Sequence, residues 1–361
     1  MKEPSAEIII DIDVIRNNII YLKSLISPKT KFMAILKANA YGHGLNKIAK
    51  NIDDIVDGYG LVRIEEAVSV RKFTQKKILL MQGLYNKEDA RLAADKNFDS
   101  VIHNKDQLFI LDNVNIHAWI KVNTGMNRLG FSPEDFLTLY KSRLTQKEFT
   151  LMSHLACSDN PADDLNTKQF NSFNDISKSL KETTPKSIGN TGCILNFPQK
   201  TFDWVRSGIG LYGGFVGNDT LEPAMTFKSQ IIEIKKIKKG DRVGYNGRVI
   251  ASNNMDIAIV YAGYADGLPQ ATLDNTKVSI NNFSANIFGQ ISMDLVSIDI
   301  TNIPNCNIGD WCIFWNKNNS LKSLAIENNL ISYELMTRIT PRVKVIYINS
   351  MNKNFFKKTR I

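Results

Sequence analysis

Titratable or hydrogen-bonding side chains stand directly after short apolar runs at five places in the first two-thirds of the chain. Lys37 follows Phe32–Leu36, Lys121 follows His117–Ile120, and His154 follows Thr150–Ser153. Asn190 and Thr191 come after Lys186–Ile188, and Arg206 follows Phe202–Val205. If these runs are parallel strands, their carboxyl ends gather on one face, which is where α/β folds place their chemistry.

Two segments narrow that chemistry. Lys37-Ala38-Asn39-Ala40-Tyr41-Gly42-His43-Gly44 sets a lysine at a strand end and surrounds it with small residues, unlike an ordinary solvated surface lysine. Such an amine can form a Schiff base with a carbonyl. Ser207-Gly208-Ile209-Gly210-Leu211-Tyr212-Gly213-Gly214 contains GxGxxG, but a dinucleotide site needs a long helix straight after it. Gly217, Asn218, Asp219 and Pro223 follow instead, so the glycines suit a phosphate held by backbone N–H groups late in a barrel. A Schiff-base lysine, a phosphate cradle and a nearby arginine together point to pyridoxal phosphate.

The elements that must position these groups are visible as eight strand-like runs, the other three at Tyr59–Val62, Ile78–Met81 and Ser100–Ile102. Amphipathic segments lie around them at Val14–Ile26, Glu65–Phe73, Glu88–Ala94, Asp106–Leu111 and Pro133–Tyr140. Strand-helix alternation means parallel strands with crossover helices, and eight units suggest an α/β fold of the closed (β/α)8 type, with an open doubly wound sheet as the alternative. After Pro223 the texture changes to alternating runs, Ser229–Ile237, Asp256–Tyr261, Lys277–Ile280, Leu295–Ile300 and Trp311–Trp315, separated by Gly-Asp turns. The expected division is a barrel over residues 8–224 and a mostly antiparallel β domain over 225–361, with a strand inside residues 1–10 as a candidate to pair with the second part.

With 43% hydrophobic and 22% charged residues in 361, the chain has the composition of a soluble globular protein, which excludes wholesale disorder. No apolar run approaches the ~18 residues of a membrane span, and the first residues lack a signal-peptide pattern, so cytoplasmic residence is the expectation. Cys157, Cys193, Cys306 and Cys312 show neither a disulfide framework nor CxxC spacing and read as buried hydrophobes; no metal is expected. The net charge of +9 raises a polyanion partner, but acids are interspersed throughout. Only Lys235–Lys239, which reads as the wet face of a strand, and Lys353–Arg360 are locally basic, so no nucleic-acid partner is expected.

Ala34-Ile35-Leu36-Lys37-Ala38-Asn39-Ala40-Tyr41-Gly42-His43-Gly44 closely resembles the cofactor-lysine signature of bacterial alanine racemases. Lys121–Gly130, Ser153–Ala156, Val205–Gly213, Gly263–Gly267 and Ser292–Asp294 fall in that family's order and at compatible spacing. The likeness runs from about Ile8 to Tyr347. It implies a pyridoxal-phosphate barrel with a C-terminal β domain, acting as a homodimer whose sites borrow residues across the interface and supplying D-alanine for peptidoglycan. On that resemblance Lys37 carries the cofactor and is one catalytic base. Tyr264 is the opposite base, assisted by His154 and Arg206, and Arg206 faces the pyridine nitrogen. Tyr41, Thr191 and the backbone amides of Gly208 and Ile209 match phosphate-binding positions. Arg128 matches the residue at the ring oxygen and the substrate carboxylate, and the Met293 N–H the second carboxylate donor. Lys121 matches a lysine that is carbamylated in many members. His43 reads as a structural turn residue.

The chain departs from the pattern at Pro341, where many members carry a phosphate-contacting tyrosine, and at Gln270 and Gln290, where arginines are common near the entrance. The nearest competing readings are a serine or broad-specificity racemase of the same fold, and a pyridoxal-phosphate barrel without racemase activity. A barrel decarboxylase is a further competitor, but Cys306 and Cys312 lack its motif context.

Overall fold

The computed structural model describes residues 3–110 and 114–350. The chain forms two compact units: one holds Arg16–Ala40 and Gly44–Leu211, the other the described residues up to Ile15, Tyr41–His43 and those from Tyr212 onward.

The first unit is built on eight parallel strands. With β1 (Ala6–Asp11) assigned to the other unit, they are β2 (Lys31–Ile35), β3 (Gly58–Leu61), β4 (Lys77–Leu80), β5 (Asp99–Ile102), β6 (Ala118–Lys121), β7 (Phe149–Met152), β8 (Lys186–Ser187) and β9 (Trp204–Ser207). They pair in the order β8-β7-β6-β5-β4-β3-β2-β9. The remaining seam is closed by Asp203 N–H to Lys186 O (3.2 Å) and Arg206 N–H to Gly189 O (2.9 Å). The sheet is therefore a barrel, and the open doubly wound alternative is excluded. Strands β3, β5, β7 and β9 are buried along their whole length, as expected of parallel strands covered on both faces.

Helices at Ile12–Ser24, Ile64–Arg71, Lys87–Asp95, Lys105–Ile110 and Pro133–Leu139 match the amphipathic segments; Leu111 lies outside the described residues. Further helices at Leu45–Ile52, Asp164–Lys178 and Thr191–Asn196 were not expected. The second begins at Asp163, whose side chain accepts the Leu165 N–H, and its buried face mixes Phe170, Phe173 and Ile176 with Asn166 and Gln169.

The other unit holds β1, β10 (Met225–Ile237), β11 (Arg242–Val243), β12 (Val249–Ile250), β13 (Met255–Val260), β14 (Lys277–Ile280), β15 (Phe283–Ile287), β16 (Val296–Asp299), β17 (Trp311–Trp315) and β18 (Lys344–Ile348). Because β10 pairs with both β17 and β13, the strands β10-β13-β16-β15-β14-β17 form a hydrogen-bonded ring. A register shift between Ile231 and Glu233 lets one long strand serve both neighbours. β1 adds outside this ring, antiparallel to β10 and parallel to β18. Short helices at Leu321–Glu327 and Ser332–Thr337 interrupt the β texture. Residues 235 and 236 are exposed on β10, while the basic run Lys353–Arg360 lies outside the described residues. Among the described residues, the four cysteines are free, no helix is long and apolar enough to cross a membrane, and no acidic, histidine or cysteine cluster could hold a metal.

Candidate active site at the barrel mouth

Lys37 directly follows β2, and the backbone then does something uncommon. Ala38, Asn39, Ala40 and Tyr41 all lie in the left-handed region, with φ between 53° and 55°. That conformation costs roughly 1–2 kcal/mol for each L-residue, so it persists only where its surroundings enforce it. Ala40 N–H donates to Leu36 O (2.8 Å), Asn39 N–H to Glu66 Oε1 (3.2 Å), and the Asn39 side chain accepts the Leu45 N–H (2.8 Å). Of the four, only Asn39 is of a type that commonly adopts this conformation; Ala38, Ala40 and Tyr41 bear its full Cβ cost. Lys37 keeps an exposed face, yet partial desolvation, and then the Arg128 guanidinium, hold its amine below the usual lysine value.

Lys121 ends β6 and is 6% exposed. Burial first, then the charges of Arg206, Arg128 and Lys37, bring its pKa down to about 8. Arg128 sits on the loop whose base is tied to Lys121 through Phe131 N–H to Lys121 O (2.9 Å). His154 follows β7, and burial together with Arg206, Lys121, Arg128 and Lys37 holds its imidazole far below the ordinary value, so it is neutral at physiological pH. These five groups share one electrostatic environment, and the four cations in it repel one another. Such a mouth favours an anion.

Arg206, on β9, is 2% exposed. Its Nη2 donates to Ser153 O (2.6 Å) and faces His154 Nδ1 at 3.3 Å, while Nη1 donates to Ser187 Oγ. A guanidinium only donates, so His154 Nδ1 must carry the lone pair and its proton sits on Nε2. The Arg206 Nε–H, by contrast, is buried without any acceptor among the described residues. An unsatisfied buried donor costs about 1–3 kcal/mol, more for a charged group, so this atom calls for an acceptor from a bound molecule. The unprotonated pyridine nitrogen of pyridoxal phosphate is such an acceptor, and the residues present fit that cofactor.

Thr191 opens the helix Thr191–Asn196, whose first turn is capped by the Asn190 side chain accepting the Cys193 N–H (3.0 Å). Its hydroxyl lies 2.9 Å from Ser207 Oγ and accepts the Gly210 N–H at 3.4 Å. Gly208 and Ile209 lead into a single tight turn, Ile209–Tyr212, and no long helix follows, which removes the dinucleotide reading of these glycines.

Tyr41, Tyr264 and Met293 belong to the other unit. Tyr264 lies on the turn Tyr264–Asp266, where Tyr264 N–H donates to Ser292 O and Ala265 N–H to Met293 O, each at 3.0 Å. Gly263 is required there, because a Cβ would lie 2.2 Å from Met293 O. Arg342, next to Pro341, pairs with Asp266 (3.1 Å) and Asp294 (2.6 Å) and so ties both segments together. Tyr41 is buried against Tyr212 (ring centroids 4.9 Å) and Tyr333 (5.9 Å), and burial pushes its phenol up. His43 is fully buried, stacks on Tyr212 and bonds Tyr41 O through Nδ1 at 2.9 Å.

Two positions that the sequence did not single out hold this machinery. Ser187 lies inside an apolar-looking run, and Gln169 lies on the unexpected helix Asp164–Lys178. Its carboxamide accepts the Ala156 N–H (2.8 Å) and donates to His154 O (2.9 Å). Only the helical spacing of Phe170, Phe173 and Ile176 signals that this face is turned inward.

Comparison with known proteins gives a consistent result. Residues 10–215 match the family model for the alanine racemase N-terminal domain, and residues 224–347 that for the C-terminal domain. The chain is 37% identical over 358 residues to an alanine racemase of Shewanella sediminis, covering 95% of this chain and 98% of the relative. It is 36% identical over 359 residues to that of Coxiella burnetii, covering 94% and 98%. Among solved structures, the biosynthetic alanine racemase of Pseudomonas aeruginosa is similar with a TM-score of 0.91 and 30% identity, over 96% of this chain and 100% of that one. An alanine racemase from Bartonella henselae, described with covalently bound pyridoxal phosphate, gives 0.89 and 28% identity, over 95% and 99%.

Proposed function

The chain belongs to the alanine racemase family and interconverts L- and D-alanine, and we propose that it does so on pyridoxal phosphate with two protein bases, Lys37 and Tyr264. The observation that carries this reading is the buried Arg206 Nε–H, which has no acceptor among the described residues and is set among cations at the carboxyl ends of the barrel strands. When bound through Lys37, the cofactor withdraws electrons from the α-carbon of the amino acid and so acidifies its α-proton.

Inverting the α-carbon requires a proton to leave one face and another to arrive at the opposite face; a single base would only exchange it with retention. Lys37, its pKa lowered by desolvation and Arg128, gives up its proton more readily than an exposed lysine and so suits the role of a base. Tyr264 can act as a base only with a partner that stabilises its phenolate. His154 offers one: its Nδ1 is committed to Arg206, so its Nε2–H is a donor, and its neutrality keeps it from competing for the substrate proton. Arg206 would hold the cofactor's ring nitrogen by donating without surrendering a proton, which would weaken the electron sink and favour reprotonation over transamination. Tyr41, Thr191, Gly208 and Ile209 are proposed to hold the phosphate, and Arg128 and the Met293 N–H the substrate carboxylate. Carbamylation of Lys121 would place an anion beside Arg128. The wider reading is a cytoplasmic homodimer with shared sites that feeds D-alanine to peptidoglycan synthesis.

The test is the visible spectrum of the purified protein together with D-alanine formation from L-alanine. Lys37→Ala should abolish the long-wavelength band and lower turnover by at least ~10³-fold. Tyr264→Phe should keep the band, and in deuterated water one enantiomer should still exchange its α-hydrogen with retention. A colourless wild-type protein, or a fully active Lys37→Ala variant, overturns the assignment.

A further inference from the structure

We propose that Ser187 is a positioning residue that aims the Arg206 guanidinium and, by adding no negative charge, keeps the site committed to racemisation. Ser187 is fully buried on β8, the two-residue strand at the closing seam of the barrel. Its hydroxyl donates to Trp204 O at 2.8 Å, on the neighbouring strand and two residues before Arg206. The only proton on Ser187 Oγ is thereby committed, and its lone pairs are left to accept from Arg206 Nη1. Nη2 is held in turn by Ser153 O (2.6 Å) and His154 Nδ1 (3.3 Å), with Ile188 O at 3.5 Å.

Among the described residues, every acceptor on this buried cation is neutral. Buried arginines are commonly matched by a carboxylate, which offsets their charge. Among the described residues, the titratable groups that bear on Arg206 are His154, Cys193 and Lys121, none of them a carboxylate. With both Nη atoms bonded to neutral partners, the positive charge is left to act through Nε. This inference rests on the proposed reading that Nε donates to the pyridine nitrogen. A carboxylate at position 187 would neutralise the guanidinium and allow a proton onto that nitrogen, which strengthens the electron sink. Loss of the hydroxyl would leave Nη1 unsatisfied and free the guanidinium to turn. In either case more turnovers should end in transamination, in which the amino group of alanine passes to the cofactor and pyruvate leaves.

The experiment compares wild type, Ser187→Ala, Ser187→Thr, Ser187→Asp and Arg206→Glu as holoenzymes. It reads three quantities: pyruvate released per racemisation event, the position of the visible band, and the affinity of each apoprotein for pyridoxal phosphate by spectral titration. Ser187→Ala should lower kcat by about 10-fold with KM within about 2-fold, and raise the pyruvate ratio several-fold. Ser187→Thr should restore both, while Ser187→Asp should shift the band and raise the ratio further. Where Ser187→Ala fails to hold the cofactor, Ser187→Cys, nearly isosteric and a weaker acceptor, takes its place. If Arg206→Glu raises the pyruvate ratio but neither Ser187→Ala nor Ser187→Asp does, Ser187 is merely a rung of the barrel seam and the inference fails alone. If Arg206→Glu leaves the ratio unchanged, the reading of Arg206 itself fails, and the Ser187 inference falls with it.

Discussion

Lys121 shows how much a single buried amine can change at the mouth of the barrel. With its pKa at about 8 rather than 10.5, it has an uncharged fraction at pH 7.4 of about one in five instead of about one in a thousand. The uncharged amine is the form that attacks carbon dioxide, giving a carbamate and releasing a proton. The product would replace one of four mutually repelling cations by an anion beside Arg128 and Arg206. Carbamate should therefore form at neutral pH and increase as pH rises through 8. Carbon-13 NMR of the enzyme in labelled bicarbonate should show a carbamate signal that Lys121→Met removes, and stripping carbon dioxide from the buffer should lower activity in wild type but not in that variant. A spectrum with no Lys121-dependent signal from pH 7 to 9 would refute the modification.

At the scale of elements, the helix Asp164–Lys178 carries a load out of proportion to its visibility. Gln169 is fully buried and, besides gripping the backbone on both sides of Leu155, donates to Thr124 Oγ1 at 3.2 Å. Thr124 in turn meets Ser153 Oγ at 2.8 Å, next to His154. Gln169→Leu keeps the volume but strands the Ala156 N–H and the His154 carbonyl. It should destabilise the protein by about 2–3 kcal/mol in urea unfolding and reduce kcat more than KM. A loss below ~0.5 kcal/mol would mean that water replaces the carboxamide.

The same helix marks where local sequence pattern stops being informative. Parallel barrel strands are buried on both faces, so they stand out as apolar runs, and the chemistry-bearing Lys37, Lys121, His154 and Arg206 stand at or beside their ends. The helix escapes because Asn166 and Gln169 occupy its buried face and break the apolar spacing. β15 and β18 escape for a related reason, since Phe283 and Val345 point to solvent and blur the alternation. The left-handed turn after Lys37 has no local signature beyond small residues; it is imposed by Glu66 and Leu45, which lie later in the chain. Ser187 is hidden because its importance comes from a partner nineteen positions away.

For the whole molecule, the question is which copy of Tyr264 serves a given Lys37. In a symmetric dimer with shared sites, each site takes Lys37 from one protomer and Tyr264 from its partner. Lys37→Ala and Tyr264→Phe are each expected to be inactive as homodimers. Mixing them and allowing subunits to exchange gives heterodimers in which both substitutions fall on one site and the other site is intact. Random exchange makes half of the dimers heterodimers, each with one good site of two, so the mixture should recover about a quarter of wild-type activity. If each site were built within one protomer, every site in the mixture would carry one substitution and no activity would return. Size-exclusion chromatography of differently tagged subunits establishes that exchange has occurred, so that a silent mixture counts against sharing rather than against mixing.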